Sequence, residues 1–405
     1  MKPSFLENTE RYLVWLITSP RQPRGVNRPT KVFLGFLRHL AGLYRGVIQM
    51  RFWLYTHGIF RPHTLGCQVI SVGNVTVGGT GKTPVVEVFA RELARQGRKV
   101  AILSRGYKKK EANALTRFLE RITLAEQIRP PRVVSDGTQL LLDSDMSGDE
   151  PYMLASNLPN VAVLVDRDRI KSGRYAIKKL GCDTLILDDG FQYLSLKHRM
   201  EIVLIDSTNP FGNEYMLPRG VLREPVSSIR RATFIFLTKA DSGNTTALKK
   251  RIRHYNKTAE IIECKHSARH LQHIFTAERK PLEFLKKLKA VTVAGIAVPQ
   301  GFERTIEKLG TDIRERHRFA DHHRYTQQEV IDIINEAKHI QADAIITTEK
   351  DAVRFPRLDR CDVPIYFLRV DIEILSGRED FNACISRICF TGENGTPPAP
   401  DTKDI

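Results

Sequence analysis

The chain has 405 residues, a length that suits two domains with a further segment at each end. Hydrophobic residues make up 41% and charged residues 27%, which are globular proportions and exclude large-scale disorder. The formal net charge of +17 predicts attraction to anions, and it leaves nucleic acid, an anionic membrane and phosphorylated substrates open as partners.

Six cysteines are scattered along the chain without a CxxC pair, so we expect free thiols in a reducing compartment. The N-terminus lacks the pattern of a signal peptide. No run approaches the ~18–20 apolar residues that a membrane-spanning helix needs. We therefore expect neither a disulfide framework nor a spanning helix.

Residues 1–30 predict a poorly ordered extension, and residues 31–60 predict an amphipathic helix with an aromatic-rich apolar stripe and a basic side. Such a helix packs on its own domain or lies in a membrane interface, and the pattern leaves both open. The apolar positions are Phe33, Phe36, Leu37, Leu40, Leu43, Tyr44, Val47, Met50, Trp53 and Leu54, and the basic positions are Lys31, Arg38 and Arg45.

From about residue 67 onward, short β-branched runs alternate with helix-length stretches, which predicts an α/β fold with a mostly parallel, doubly wound sheet. We assign residues 61–245 to a core domain, 246–390 to a smaller α/β domain and 391–405 to a loose tail. A capping box is predicted at Thr326 and Glu329. Expected strands are Val69–Val72, Val100–Leu103, Val161–Val165, Thr184–Leu187, Ile202–Ile205, Phe234–Leu237, Val291–Ile296, Ala344–Thr347 and Ile365–Leu368.

A phosphate-binding loop follows the first strand, and Pro84 opens a helix directly after it. Glycines let backbone N–H groups converge on phosphate oxygens, and the helix N-terminus adds a positive dipole end. Lys82 is expected to reach the β- and γ-phosphates, and the Thr83 hydroxyl is a candidate Mg²⁺ ligand. The predicted nucleotide-binding residues are Thr76, Val77, Gly78, Gly79, Thr80, Gly81, Lys82 and Thr83. The usual pattern has Gly where this chain has Thr76.

The string Ser71–Pro84 resembles the start of the tetraacyldisaccharide 4'-kinase family, in which Thr at the loop entry is normal. Further segments resemble the family in order and extend the likeness over roughly residues 32–370. They are Ser104-Arg105-Gly106-Tyr107, Gly148–Pro151, Asp188–Gln192, Leu217–Pro225, Thr238–Asp241, Ala294–Ala297, Phe319–His323 and Thr348–Asp351.

The resemblance implies a P-loop kinase that transfers the γ-phosphate of ATP to the 4'-hydroxyl of an acylated glucosamine disaccharide 1-phosphate, giving lipid IVA. It implies Mg²⁺ as a cofactor and a location on the cytoplasmic face of the inner membrane. It also favours the interfacial interpretation of helix 31–60, because an acylated substrate stays in the bilayer. No nucleic acid and no obligatory protein partner are implied.

A sugar hydroxyl is a poor nucleophile, so a kinase positions it and accepts its proton as transfer proceeds. Asp149, at a predicted turn, is the candidate base. The family likeness pairs it with a histidine, His322 or else His323. Glu150 and Asp188 are candidate Mg²⁺ ligands with Thr83, and Asp188 follows a strand as a Walker B carboxylate does. Candidate contacts to substrate or phosphate are Asn74, Arg105, Arg169, Asp189, Gln192 and Arg223. The role of the segment Thr348–Asp351 stays open between a hinge and a nucleotide contact.

A nucleotide-switch or assembly ATPase is the alternative, because it shares the P-loop and the Walker B carboxylate but does not need Asp149 with His322. A nucleic-acid binder is suggested by charge alone, and no sequence signature of such proteins accompanies it.

Overall fold

Residues 27–106, 129–358 and 361–389 are described by the structure, which is a computed structural model. In chain order the helices and strands are α1 (Arg28–Thr56), β1 (Gln68–Asn74), α2 (Lys82–Arg95), β2 (Val100–Ser104), β3 (Arg132–Asp136), α3 (Ser144–Ser147), α4 (Asp149–Asn157), β4 (Ala162–Val165), α5 (Arg169–Leu180), β5 (Thr184–Asp188), β6 (Met200–Asp206), β7 (Phe234–Thr238), α6 (Thr246–Tyr255), β8 (Glu260–His273), β9 (Arg279–Lys280), β10 (Lys289–Ala294), α7 (Pro299–Lys308), β11 (Asp312–Arg318), α8 (Gln327–His339), β12 (Ala344–Thr348), α9 (Glu349–Ala352), β13 (Ile365–Ser376) and α10 (Arg378–Cys389).

The described residues form two units, each built from separate stretches of chain. The first comprises residues 27–105, 168–265 and 374–389, and the second comprises 106, 129–167, 266–358 and 361–373. The sequence predicted two domains that are each continuous in the chain, at 61–245 and 246–390. In the structure, residues 129–167 instead belong to the second unit, together with residues that follow 265. Residues 1–26 of the predicted extension, Tyr107 and the predicted tail lie outside the described residues.

In the first unit, the strands β7, β6, β1, β5 and β2 lie side by side in that order and are all parallel. β1 has β5 on one side and β6 on the other, so the direction in which the chain adds strands reverses at β1. Ligands of such sheets bind where the strand order reverses, beyond the carboxyl ends of the strands. The segment after β1, which carries the glycine motif, therefore lies where a ligand is expected.

The central strands are continuous apolar runs because both sheet faces are covered, and Thr184–Asp188 is buried throughout. The helix α2 begins at Lys82, two residues before the predicted start at Pro84. Its inner side carries Val85, Val86, Phe89, Ala90 and Leu93, all buried.

In the second unit, β11, β10, β12 and β13 are parallel neighbours, and β3 pairs antiparallel with β4. The helix α8 begins with the capping box: Thr326 caps the Glu329 N–H and the Glu329 side chain returns to the Thr326 N–H. That prediction is confirmed. The outer strand β11 carries a mostly exposed, charged sequence, which protects a sheet edge from pairing with other chains.

The helix α1 belongs to the first unit and turns one face inward. Leu37 and Ala41 are buried, and Ala41 joins an apolar cluster with Val75 and Phe191. The Tyr44 hydroxyl donates a hydrogen bond to the Arg223 carbonyl at 3.2 Å. This face therefore fixes α1 to the strand β1 region, as the first interpretation of the helix required.

A second face of α1 is apolar and exposed. Because each residue of an α-helix is rotated by about 100° around the helix axis, the exposed apolar side chains of this face form a narrow stripe along the helix. More than half of each side chain is exposed at Val32, Phe36, Leu43, Val47 and Met50. Among the described residues no helix has both the length and the apolarity needed to cross a membrane.

Candidate active site

The loop between β1 and α2 is a turn with two glycines of positive φ. Gly81 adopts the left-handed conformation (φ 78°) immediately before Lys82, and Gly78 has φ 120°. Asn74 Nδ2 donates to Thr80 Oγ1 at 3.0 Å, and Thr238 Oγ1 donates to the Thr80 carbonyl at 3.1 Å. These side chains at the ends of two strands hold the loop in shape. Thr238 lies in a segment of the family likeness, but it was not among the predicted site residues.

Lys82 points toward two acceptors from neighbouring strands. Its Nζ lies 3.3 Å from Asn74 Oδ1 and 3.4 Å from Asp189 Oδ1. Arg223 NH1 donates to the same Asp189 carboxylate at 2.7 Å and 2.9 Å. Burial opposes ionisation of Asp189, but Lys82 and Arg223 outweigh it and hold the pKa of that carboxyl below its ordinary value. Asp189 is therefore a carboxylate that orients both cations.

Asp188 closes the strand β5, opposite Val72 of β1 in register. Its Oδ2 accepts a hydrogen bond from Ser104 Oγ at 3.1 Å, and its carbonyl accepts from Arg169 NH2 at 3.4 Å. Gln192 Nε2 donates to the Asn74 carbonyl at 3.0 Å. The structure thus brings Asn74, Lys82, Asp188, Asp189, Gln192, Arg169 and Arg223 to one edge of the sheet. Ser104, the first residue of a segment of the family likeness, was not among the predicted site residues.

The other predicted residues of this unit take clear positions. Arg105 directly follows β2, is exposed, and its charge acts on that of Arg169. Thr83 is buried in the first turn of α2, whereas Val77 at the loop tip is exposed. Among the described residues no group of three or more His, Cys, Asp or Glu side chains could hold a metal ion.

Two glycines let the segment Asp188–Gln192 approach the strand β1. A Cβ at Gly73 would lie 2.7 Å from Phe191 Cβ and 2.8 Å from its backbone N. A Cβ at Gly190 would lie 2.6 Å from Leu187 Cβ and 2.9 Å from Ser71 Oγ. The position of Asp188 and Asp189 against the loop therefore depends on the absence of two side chains.

We expect Gly73→Ala to destabilise the protein by ~1–3 kcal/mol, because the Phe191 backbone must move to accept the methyl group. Thermal or denaturant unfolding measures the change. The matched control is Gly46→Ala in α1, where no atom lies within 4 Å of the added methyl group. This control should raise stability slightly, since Ala is favoured over Gly inside a helix. Equal stability of the Gly73→Ala protein and the wild type would contradict the close approach.

In the second unit Asp149 and His322 are in contact, with His322 Nδ1 3.2 Å from Asp149 Oδ2. Asp149 is the first residue of α4, where the helix dipole favours a negative charge. Burial opposes its ionisation, but the hydrogen bond with His322 and the charges of Arg354 and Arg324 lower the pKa of the carboxyl below its ordinary value. Asp149 is therefore held as a carboxylate.

The two neighbouring histidines have different surroundings. His322 has a positive φ of 66° and directs its ring to Asp149. His323 Nε2 lies 3.1 Å from Glu329 Oε1, and its ring stacks on Phe319 at 4.6 Å between centroids. His322 is accordingly the histidine in contact with Asp149.

Glu150 contacts Lys350, whose Nζ lies 2.5 Å from Glu150 Oε1. Thr348 begins the short helix α9 as its N-cap, and its side chain accepts from the Asp351 N–H. Asp351 in turn accepts from Arg354 NH1 at 3.1 Å. The segment Thr348–Asp351 thus supplies Lys350 to Glu150 and Asp351 to Arg354. The sequence had left its role open between a hinge and a nucleotide contact. Arg354, which contacts Asp149 directly, was missed.

These features define a P-loop nucleotide-binding protein of the α/β class. The sequence pattern described as tetraacyldisaccharide-1-P 4'-kinase matches residues 34–389. The chain belongs to the tetraacyldisaccharide 4'-kinase family, and it is a phosphotransferase that acts on a hydroxyl group.

Relatives match over most of their length. The Halothermothrix orenii tetraacyldisaccharide 4'-kinase is 35% identical, over 96% of this chain and 100% of that relative. The Anaeromyxobacter dehalogenans protein of the same name is 39% identical, over 85% of this chain and 87% of that relative. The solved structure of Aquifex aeolicus LpxK in complex with ATP has a TM-score of 0.69 at 28% identity, covering 88% of this chain and 100% of that one.

Proposed function

We propose that this chain transfers the γ-phosphate of ATP to the 4'-hydroxyl of tetraacyldisaccharide 1-phosphate, giving lipid IVA in lipid A biosynthesis. The observation that supports it most is the contact between Asp149 and His322, at 3.2 Å. A switch or assembly ATPase shares the P-loop but has no need of a base held by a histidine. A kinase needs one, because it must accept a proton from its acceptor.

On the nucleotide side, the loop N–H groups and the N-terminus of α2 bind phosphate oxygens. Lys82 exchanges its contacts with Asn74 and Asp189 for the β- and γ-phosphates. Arg223 and Asp189 remain paired and keep the lysine directed toward the loop. Arg105 and Arg169 supply further positive charge, and Gln192 orients the acceptor.

On the acceptor side, the hydroxyl oxygen attacks phosphorus while the bond from the γ-phosphorus to the bridging oxygen breaks, and ADP leaves. The hydroxyl proton passes to the Asp149 carboxylate. Because the transition state of phosphoryl transfer is loose, the proton leaves late, and a carboxylate that is ionised at neutral pH can accept it. His322 orients the Asp149 carboxylate through the hydrogen bond between them.

Mg²⁺ fits the oxygen donors at the loop. Thr83 lies in the first turn of the helix that comes after β1, and Asp188 is the last residue of the neighbouring strand β5; they offer a hydroxyl and a carboxylate. Mg²⁺ takes one or two such ligands and completes its shell with phosphate oxygens and water. Bound there, it would neutralise charge on the β- and γ-phosphates. Glu150, the third predicted ligand, has Lys350 as its partner in this structure and stays a prediction.

We further propose that the exposed stripe of α1 lies in the cytoplasmic leaflet of the inner membrane. An acylated acceptor leaves the bilayer only at high cost, so its kinase gains from working in the interface. Burial of five large apolar side chains and attraction between the net positive chain and anionic lipid would both stabilise this position.

The triple variant Phe36→Ser, Leu43→Ser, Val47→Ser should lose binding to vesicles that contain anionic lipid, because it removes the centre of the stripe. The three side chains are exposed, so folding should be unaffected. Co-sedimentation measures binding, and Gln49→Ser, an exposed position of the same helix outside the stripe, is the control. Unchanged sedimentation of the triple variant would show that another surface holds the membrane.

One assay tests the activity: transfer of labelled γ-phosphate to the disaccharide 1-phosphate in detergent micelles, with the full chain and Mg²⁺. A labelled lipid that requires both the acceptor and ATP is the expected product. Release of phosphate from ATP at the same rate without acceptor would instead support the switch or assembly ATPase.

A further inference from the structure

Arg354 has an unusual position for an arginine, because its side chain is fully buried. Its Nε donates to Asp149 Oδ2 at 2.8 Å. Its NH1 donates to the Gly295 carbonyl at 3.0 Å and to Asp351 Oδ1 at 3.1 Å. Its NH2 lies 3.2 Å from His322 Nδ1. One guanidinium therefore contacts both members of the Asp149–His322 pair.

The Arg354 NH1 group is held by the Gly295 carbonyl and by Asp351, and the positions of both acceptors are restrained by close packing. Asp351 is fully buried and accepts hydrogen bonds from the hydroxyls of Tyr325 at 3.1 Å and Thr348 at 2.6 Å. A Cβ at Gly295 would lie 3.0 Å from Asp351 Oδ1 and 3.0 Å from the Tyr325 hydroxyl. Close packing of this kind leaves the guanidinium little freedom to move.

Hydrogen-bond chemistry limits what His322 can do beside Arg354. A guanidinium only donates, so His322 Nδ1 accepts from Arg354 when its proton is on Nε2. When Nδ1 carries the proton, it donates to Asp149 Oδ2 instead. Both arrangements keep the bond from Arg354 to Asp149, so the orientation of the carboxylate is independent of the histidine tautomer.

The two oxygens of Asp149 are consequently different. Oδ2 is occupied by Arg354 and His322, whereas Oδ1 meets Arg324 NH2 at 3.2 Å. The Arg324 side chain is 41% exposed, and it also contacts the Asp145 carboxylate and the Ser144 carbonyl, which still hold it when it leaves Asp149. Oδ1 is therefore the oxygen on which a proton can be received.

We propose that Arg354 is a positioning residue for phosphoryl transfer: it holds Asp149 Oδ2 and His322 Nδ1 so that Oδ1 faces the attacking hydroxyl. The proposal rests on the proposed function. In the step itself, the hydroxyl proton moves to Oδ1 as the new O–P bond forms and the bond to the ADP oxygen breaks. Arg354 donates hydrogen bonds throughout and exchanges no proton.

The test compares Arg354→Met with Arg354→Lys in the phosphotransfer assay. Loss of the guanidinium lets the carboxylate rotate, and misplacement of a reacting group by about 1 Å costs roughly 10²-fold. We expect kcat of Arg354→Met to fall by about that factor while both KM values change little. Arg354→Lys should recover part of the loss, since an ammonium reaches one oxygen but not two partners.

Arg369→Met is the matched control. Arg369 is also a buried arginine of the second unit and pairs with Glu349 and Asp371. This variant should lower the unfolding temperature about as much as Arg354→Met without the fall in kcat. Equal kcat values for the two methionine variants would overturn the proposal.

A double-mutant cycle with Asp149→Asn gives a second readout that is insensitive to general destabilisation. If Arg354 acts through Asp149, adding Arg354→Met to Asp149→Asn should lower kcat by less than about two-fold further. A full additional 10²-fold loss would show an independent role and refute the positioning. Absence of lipid phosphorylation by the wild type would instead refute the proposed function.

Discussion

Lys82→Ala is expected to lower phosphotransfer to the lipid disaccharide by at least about 10²–10³-fold, the usual cost of removing one charge-stabilising group from a reaction centre. Lys82 is the cation that follows the left-handed Gly81, at the point where α2 begins. No shift of the neighbouring Arg223 can replace it, because Arg223 is held in two hydrogen bonds by Asp189.

The assay of labelled γ-phosphate transfer measures this effect, and the control is Lys178→Ala on the exposed side of α5. Thr83→Ala should have a comparable effect through loss of a Mg²⁺ ligand. Turnover of Lys82→Ala near that of the wild type would remove the assignment of the loop as the nucleotide site.

Asp149→Asn is expected to lower kcat by ~10²–10⁴-fold, since an amide of the same shape cannot accept the hydroxyl proton. The binding of ATP should be retained. Asn still accepts a hydrogen bond from Arg354, and Arg354 keeps Asp351 as a charged partner, so the variant should fold.

The matched control is Asp145→Asn, a nearby carboxylate that pairs with Arg324. Steady-state kinetics with both substrates separates the outcomes. A loss confined to the KM for ATP would make Asp149 a nucleotide-binding residue and would remove the base from the mechanism.

The glycine turn before Lys82 could be predicted from the sequence because its signal is local. The eight consecutive motif residues, Thr76–Thr83, follow a strand and run into the first turn of a helix, and the structure has a turn there. The buried parallel strands could also be predicted from the sequence, since they are continuous apolar runs. The strand β11 was not, because seven mostly charged and exposed residues carry no apolar period.

The grouping of residues 129–167 with the second unit could not be predicted, because hydrophobic periodicity gives the type of an element and not the sheet it joins. The pairing of Asp149 with His322 joins residues 173 positions apart, and only the family likeness pointed to it. Arg354 had one usable signal: it follows Asp351 by three residues, the spacing of an ion pair on a helical turn.

The position of the last described helix, α10, has a consequence for how this protein folds during its synthesis on the ribosome. Phe381 of α10 lies 5.1 Å from Phe89 of α2 and 6.4 Å from Phe236 of β7, measured between ring centroids. The helix that follows the glycine loop is thus covered by residues translated some 290 positions later. A ribosome must release almost the whole polypeptide before the nucleotide-binding unit can close its core, and a nascent chain halted at residue 373 would leave those rings open to solvent and to chaperones.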